Sequence, residues 1–187
     1  NVSEEGLNGA NPDETGSTDT TNSTSATGTV TASDVDANDT LTFTFGTPTG
    51  TYTSGGATIE WSGIGTNQLL GTANGVTIIN ATIDATSGTY NVSLNGPLDQ
   101  PLNSVEDTIP VSLTVDVYDG TISVATTIIV TVEDDSAVMG AVNDALMPSI
   151  DGQEVNGTWS PLFGADGANA TNAISISRST FSGIGDG

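Results

Sequence analysis

The sequence predicts an all-β protein, folded as an antiparallel β-sandwich. Apolar and polar residues alternate with a period of two in several short segments, which is the pattern of half-buried strands. Turns rich in Gly, Asn and Asp separate these segments at roughly even spacing. No amphipathic helix longer than a turn or two is evident, and residues 137–146 are the best helical candidate.

The clearest strand is an apolar stripe at alternate positions, which comprises Ile109, Val111, Leu113, Val115 and Val117. The pair Asp119-Gly120 follows it and predicts a tight hairpin into the last strand. The remaining predicted strands are residues 29–32, 41–45, 58–61, 76–83, 90–94 and 128–132.

These segments predict one complete domain, which we place at residues 1–138. Its first 25 or so residues are polar and irregular, so we expect them to run as an ordered loop over the sandwich or to be disordered. Residues 139–187 contain too few strands for a core of their own. We expect a linker with extra strands, or the first part of a following, split module. The opening lacks Met, and we interpret the chain as a fragment of a longer protein.

Composition excludes several classes of function. The chain has 187 residues, with 23 Asp and Glu against one basic residue, and a formal net charge of -22. Nucleic-acid binding depends on clusters of Lys and Arg, so no such partner is expected. Without His or Cys, a conventional zinc site and a Ser-His-Asp or Cys-His catalytic site are also excluded. No apolar run is long enough to insert into a membrane.

An enzyme is not expected either. Paired carboxylates alone can hydrolyse glycosides, and Trp61 or Trp159 could then stack on a sugar. The acidic residues nevertheless sit in small groups at predicted turns, and no apolar pocket that would raise a carboxyl pKa is evident.

Acidic clusters at the ends of predicted strands indicate calcium instead. Hard cations such as Ca²⁺ take six to eight oxygen ligands, and carboxylates and carbonyls are abundant in these turns. One cluster comprises Asp34, Asp36, Asn38 and Asp39; it matches only the front of an EF-hand loop, because it lacks the Gly and the final Glu. The alternative for this cluster is a solvated acidic hairpin.

A second acidic group lies at the start and end of the domain. Glu4 and Glu5 open it, and Glu133, Asp134 and Asp135 close it, so the two could share ions with neighbouring modules. The alternative is that they keep strand ends soluble. Other carboxylates could complete a site or be plain surface charge; they are Asp13, Glu14, Asp19, Asp99, Glu106, Asp107, Asp116 and Asp119.

Several segments of the chain resemble modules of giant RTX adhesins, which type I secretion exports to the bacterial surface. The opening of such modules is similar to residues 2–7, 12–16 and 32–36. Residues 89–101 and 131–136 are similar to later parts of the same modules, and the blocks occur in order across residues 1–138.

This resemblance implies an Ig/cadherin-like antiparallel β-sandwich with long ordered loops and several bound Ca²⁺ ions. It also implies a secreted, cell-surface location and a monomeric module in a tandem array. Our first expectation is a ligand-binding module that captures a peptide or protein terminus on a host or neighbouring cell. Its carboxylate would bind a loop-held Ca²⁺ and backbone N–H groups. The residues expected at this ligand site are Asp99, Gln100, Tyr118 and Trp61.

Two other roles remain open under the same resemblance. One is a structural extender that bound Ca²⁺ makes rigid. The other is a carbohydrate-binding module that uses Trp61 or Tyr118 against a glycan. The irregular N-terminal segment and the long loop at residues 98–108 exceed what a bare extender needs, and binding residues concentrate in loops on rigid scaffolds.

Overall fold

A computed structural model describes residues 1–11, 19–35, 39–100, 107–138, 160–165 and 167. Regular structure in these residues is almost entirely β, with a single 3-10 turn at Glu4–Gly6. The strands are β1 (Val2–Ser3), β2 (Ser25–Thr29), β3 (Thr42–Phe45), β4 (Thr53–Ser54), β5 (Ala57–Thr58), β6 (Glu60–Ser62), β7 (Gln68–Ala73), β8 (Val76–Ile83), β9 (Thr89–Leu94), β10 (Thr108–Tyr118) and β11 (Ser123–Glu133).

The strands form two large sheets and one small hairpin. One sheet has the order β1-β11-β10-β3, the other has the order β2-β9-β8-β7-β6, and β4 pairs with β5. All pairings are antiparallel except that of β1 with β11, which is parallel. The predicted all-β sandwich is confirmed.

The core lies between the two sheets, where the alternating apolar residues meet. Val111, Leu113 and Val115 of β10 are 0–1% exposed, and β11 adds Ile128, Val130 and Val132. The second sheet supplies a matching set of buried apolar residues, namely Leu69, Ala73, Ile79, Ala81, Ile83, Val92 and Leu94. The period-two pattern therefore identified the buried face of each long strand correctly.

The long β10–β11 hairpin defines the two ends of the sandwich. Thr108 pairs with Glu133 at one end, and Tyr118 pairs with Ser123 at the other. Residues 119–122 close the hairpin, as Asp119-Gly120 predicted. The equivalent turn between β7 and β8 has Asn74 at φ 49° and Gly75 at φ 79°, which is the backbone that an Asn-Gly hairpin requires.

Strand β2 lies earlier in the chain than the sequence indicated. The predicted strand at 29–32 was wrong, because pairing with β9 covers Ser25–Thr29. The sequence pattern did not predict this strand because its inward-facing residues are small. A Cβ on Gly28 would lie 2.5 Å from Cζ of the Tyr90 ring, so the Tyr90 side chain fills the space that a larger residue would occupy.

Strand β7 was not predicted at all. Its apolar pair Leu69-Leu70 and the Gly at position 71 break a clean alternation. The glycine is required here because a Cβ on Gly71 would meet the Trp61 ring at 2.8 Å. The neighbouring prediction at 58–61 is also divided in the structure, into β5 and β6.

Only the beginning of the predicted helix at 137–146 falls within the described residues. Val138 forms an isolated antiparallel bridge with Leu162, so residues 160–165 meet the end of the sandwich. The remainder of that segment and most of residues 139–187 lie outside the described part. Within that part, no helix is long and apolar enough to cross a membrane.

Leu113→Ala tests the packing of the core. Leu113 is 0% exposed, so the substitution should lower the free energy of unfolding by about 2–5 kcal/mol in urea denaturation. Thr82→Ala on the exposed face of β8 serves as the control and should change it by less than about 0.5 kcal/mol. Equal effects of the two substitutions would contradict the assigned core.

Candidate metal centre

Buried carboxylates gather at the end of the sandwich where β1 and β11 finish. Ser3 pairs with Glu133 in the parallel ladder, so the residues that follow both strands leave the sheet side by side. Five acidic residues in these segments are nearly inaccessible to solvent, and we call them the acidic pole. They are Glu4 (0% exposed), Glu5 (5%), Glu133 (1%), Asp134 (6%) and Asp135 (5%).

The 3-10 turn at Glu4–Gly6 directs the first two of these carboxylates. Ser3 caps the turn, since its Oγ accepts a hydrogen bond of 3.1 Å from the Glu5 N–H. Glu4 Oε1 accepts a hydrogen bond of 2.8 Å from the N–H of Leu98, and this bond connects the turn to the loop after β9. Neither Ser3 nor Leu98 was predicted from the sequence, although a Ser directly before two acidic residues is a recognisable helix-cap signal.

Glu133 holds the N-terminal loop against the sheet. Its Oε2 accepts hydrogen bonds from the N–H groups of Thr20 (3.1 Å) and Thr21 (3.0 Å). Its Oε1 accepts one from Asn1 Nδ2 at 3.0 Å and one from the Thr20 hydroxyl. The described part of the N-terminal segment therefore contacts the end of β11, while Asp13 and Glu14 lie outside the described residues.

Asp135 joins the sandwich to the chain that follows it. Its Oδ2 accepts hydrogen bonds from the N–H of Asn11 at 2.9 Å and from the N–H of Ala165 at 2.7 Å. Gly164 lies so close that a Cβ there would overlap the Asp135 carbonyl oxygen, and its φ of 76° also favours glycine. The acidic pole is thus contacted from three separate segments of the chain.

Three further side chains at this end carry buried oxygen atoms that accept no hydrogen bond from the described residues. They are Asp107 Oδ1, Asp19 Oδ2 and Gln100 Oε1. Asp107 lies beside the acidic pole, because its backbone carbonyl accepts a hydrogen bond of 3.1 Å from the N–H of Asp134. Asp19 and Gln100 are placed at this end by their neighbours in the chain. Asp19 precedes Thr20, which donates to Glu133, and Gln100 lies two residues after Leu98, which donates to Glu4.

The negative charge of the buried carboxylates at this end has a free-energy cost. Burying an ionised carboxylate costs free energy unless a cation or strong hydrogen bonds offset the lost hydration. The chain has only one basic residue, Arg178, which lies outside the described part, and one side chain cannot neutralise five carboxylates. Hard oxygen donors with buried, unused acceptor atoms fit calcium in their chemistry. In the described residues, however, no three acidic side chains are gathered into a recognisable metal-binding group.

The other predicted ligands are distributed differently. In the 34–39 cluster Asp34 is half-buried and Asp39 is exposed, whereas Asp36 and Asn38 are outside the described residues. Glu106 is also outside them. Asp99 is half-buried, and its Oδ2 accepts a hydrogen bond from the Gly56 N–H at 2.9 Å. This bond turns the Asp99 side chain toward the β4–β5 hairpin.

Asp116, Asp119 and Tyr118 lie toward the opposite end of the sandwich. Asp116 stands on the outer face, where a Cβ on Gly46 would come within 2.7 Å of its Oδ2. The Tyr118 hydroxyl donates to the Gly120 carbonyl at 2.5 Å within the hairpin turn. Trp61 packs against the edge of the core. Of the four expected ligand-site residues, Asp99 and Gln100 are neighbours in the loop after β9, whereas Tyr118 ends β10 and Trp61 lies in β6.

Two carboxylates in tight turns have lowered pKa values because they accept backbone hydrogen bonds. The N–H of Ser87 and the N–H and hydroxyl of Thr86 hold the pKa of Asp84 far below its usual range. The N–H groups of Ile122 and Thr121 lower the pKa of Asp119 in the same way. Both groups stabilise the tight turns in which they lie.

Comparison of the chain with protein-family models, with curated proteins and with solved structures gives no match. The fold and the site define the class of protein as an all-β sandwich with a buried acidic end.

Asp84→Ala tests the turn between β8 and β9 through pH. The folded-state pKa of Asp84 is lowered, so its stabilising contribution is present above the ordinary value of 3.8 and is lost as pH falls through the lower folded value. The variant should melt at a lower temperature than wild type at pH 7, and the difference should shrink in acid. Scanning calorimetry from pH 7 to pH 2 measures this. Glu60→Ala, an exposed carboxylate on β6, is the control. If the difference in Tm between wild type and Asp84→Ala stayed the same in acid, the lowered pKa of Asp84 would be refuted.

Proposed function

We propose that the chain is a calcium-dependent β-sandwich module of a bacterial cell-surface adhesin of the RTX type, and that its role is that of a structural extender. The observation that carries this proposal is the acidic pole, with five buried carboxylates in a chain that has one basic residue. The sequence resemblance over residues 1–138 supplies the biological setting, which includes secretion to the cell surface.

The position of the acidic pole favours an extender over a ligand-binding module. It lies where β11 ends and the chain continues to Val138, whose backbone pairs with Leu162 at 2.9 and 3.1 Å. Cations held by Glu4, Glu5 and the carboxylates after β11 would tie the exit of the domain to its body. A junction fixed in this way lets successive modules form a stiff rod.

Bound calcium would supply positive charge at this end, where none of the described side chains is basic. Glu4, Glu5, Glu133, Asp134 and Asp135 would be the donors, and Asp107 and Asp19 have buried oxygen atoms available to join them. Glu133 and Asp135 would also keep their hydrogen bonds to the N-terminal segment and to Ala165, and so couple ion binding to the order of these segments.

Calcium should raise the thermal stability of the metal-free protein. Since ions bind the folded chain in preference to the unfolded one, free Ca²⁺ at about 100 times the Kd should raise Tm by roughly 5–10 °C. Differential scanning calorimetry in chelator and in calcium, at equal ionic strength, measures the shift. Magnesium serves as the control for general charge screening. An identical Tm in chelator and in calcium would contradict calcium binding.

Glu4→Gln should have opposite effects in the two conditions. Without metal, removal of a buried charge should leave the protein as stable as wild type or raise its free energy of unfolding by about 1 kcal/mol. In calcium, the loss of a donor should reduce the Tm shift to less than about half of that of wild type.

The matched control is Glu60→Gln, which removes the same charge from the exposed strand β6. It should alter neither the stability in chelator nor the calcium shift. If Glu4→Gln and Glu60→Gln behave alike, the buried carboxylate is not a ligand.

A tandem protein of three linked copies separates the extender from a ligand-binding module. With calcium its maximum dimension by small-angle X-ray scattering should increase and its flexibility should decrease, relative to the same sample in chelator. The same protein should bind neither a library of short peptides nor an array of glycans in either buffer. Calcium-dependent capture of a peptide or a glycan, without a change in dimension, would overturn the extender role.

A further inference from the structure

Gln100 is a buried neutral side chain whose amide group makes no hydrogen bond to the described residues. Its side chain is 9% exposed, and both Oε1 and Nε2 are buried without a partner. A primary amide brings two N–H donors and a carbonyl acceptor, and burying them unpaired costs free energy. Buried polar groups in native proteins are nearly always satisfied, so this amide requires a partner that the described side chains and backbone do not supply.

The path of the chain brings Gln100 to the acidic pole. The N–H of Leu98 donates to Glu4 Oε1 at 2.8 Å, and two further residues of chain span at most about 7 Å. Leu98 and Gln100 are buried, whereas Asp99 between them is half-buried and bonded to the Gly56 N–H. Alternate residues of an extended segment point to the same side, so the Gln100 side chain follows that of Leu98 inward, on the side away from Asp99.

Asp107 lies at the other end of the same loop, six residues further along the chain from the one that follows Gln100. Its backbone carbonyl accepts a hydrogen bond of 3.1 Å from the N–H of Asp134. Its Oδ1 is also buried and accepts no hydrogen bond from the described residues. Both ends of this loop are therefore fastened to the acidic pole, and each end carries a buried oxygen acceptor that is not used by the protein.

A cation at this end of the sandwich requires neutral oxygen donors. Ca²⁺ takes about six to eight oxygen ligands, which include amide and carbonyl oxygens as well as carboxylates. Across the ranges that the structure describes, no three acidic side chains are gathered into a metal-binding group. Carboxylates from these ranges therefore do not form the coordination shell by themselves, and a buried amide with a free oxygen suits the remaining position.

We propose that Gln100 is a ligand of the calcium ion at the acidic pole, with Oε1 on the cation and Nε2 donating to the carboxylate oxygens around it. This inference rests on the calcium site of the proposed function and adds a neutral residue to it. A Glu at this position could bind the cation but could not donate, and an apolar residue could do neither. The amide also adds no negative charge to a site with five buried carboxylates.

Gln100→Met removes both polar ends of the amide and keeps an unbranched side chain of similar length. In chelator the variant should melt at or above the temperature of wild type, because it no longer buries an unpaired amide. Its Kd for Ca²⁺, measured by isothermal titration calorimetry, should rise by about tenfold or more. A purely structural role would instead change Tm equally in chelator and in calcium and leave the Kd unchanged.

Gln100→Glu should show the opposite behaviour, and it tests the same ligand independently of how a Met packs. Its added negative charge repels the neighbouring carboxylates, so Tm in chelator should fall below that of wild type. In calcium the extra charge strengthens the ligand set, and the calcium-induced rise in Tm should exceed that of wild type.

Gln68→Met is the matched control, because Gln68 is exposed on β7 and donates to Asn80 Oδ1 at 3.2 Å. This variant should have the Kd for Ca²⁺ and the calcium-induced rise in Tm of wild type.

Terbium bound in place of calcium reports the coordination shell directly. Its luminescence decays faster with each coordinated water, so the lifetimes in H₂O and D₂O give the number of bound waters. Loss of the Gln100 oxygen should admit about one additional water in Gln100→Met, because hard cations keep their coordination number by taking up water. Gln68→Met should have the same number of bound waters as wild type.

Two distinguishable outcomes would overturn this inference. If wild type binds Ca²⁺ and Tb³⁺ but Gln100→Met leaves both the Kd and the number of bound waters unchanged, Gln100 is not a ligand and the calcium site stands without it. If wild type binds neither ion, the proposed function fails, and the role of Gln100 fails with it.

Discussion

Burial of carboxylates beside the parallel β1–β11 ladder is the constraint on which the rest of the structure depends. The pairing of Ser3 with Glu133 brings two acidic segments out of the sheet at one point. The N-terminal loop, the loop after β9 and residues 160–165 all donate backbone hydrogen bonds to these carboxylates. Burial of ionised carboxylates and their mutual repulsion both cost free energy, and the hard cation that we propose would offset both.

The remainder of the sandwich provides a rigid frame for this end. The long β10–β11 hairpin spans the domain and carries the apolar stripe that packs on the second sheet. At the other end, the half-buried Asp119 accepts backbone hydrogen bonds within the turn that closes the β10–β11 hairpin.

The sequence predicted those parts of the fold that depend on residues close together in the chain. The stripe from Ile109 to Val117 and the Asn74-Gly75 turn could be predicted because alternation and backbone chemistry are local. Strands β2 and β7 could not, since Gly28 and Gly71 make room for Tyr90 and Trp61 from neighbouring strands, and that relation is not local. Likewise, Glu4 and Glu133 were predicted as ligands, but their burial and their hydrogen bonds to Leu98 and Thr20 depend on how distant segments meet.

Native mass spectrometry of the metal-free protein, titrated with calcium, tests the central claim most directly. The account predicts discrete species with one or more Ca²⁺ ions per folded chain, and a lower occupancy at the same calcium concentration when Glu4 is replaced by Gln. A folded chain that takes up no calcium at millimolar concentration, with a charge-state distribution as compact as before, would contradict it. The buried carboxylates would then be held by the protein alone.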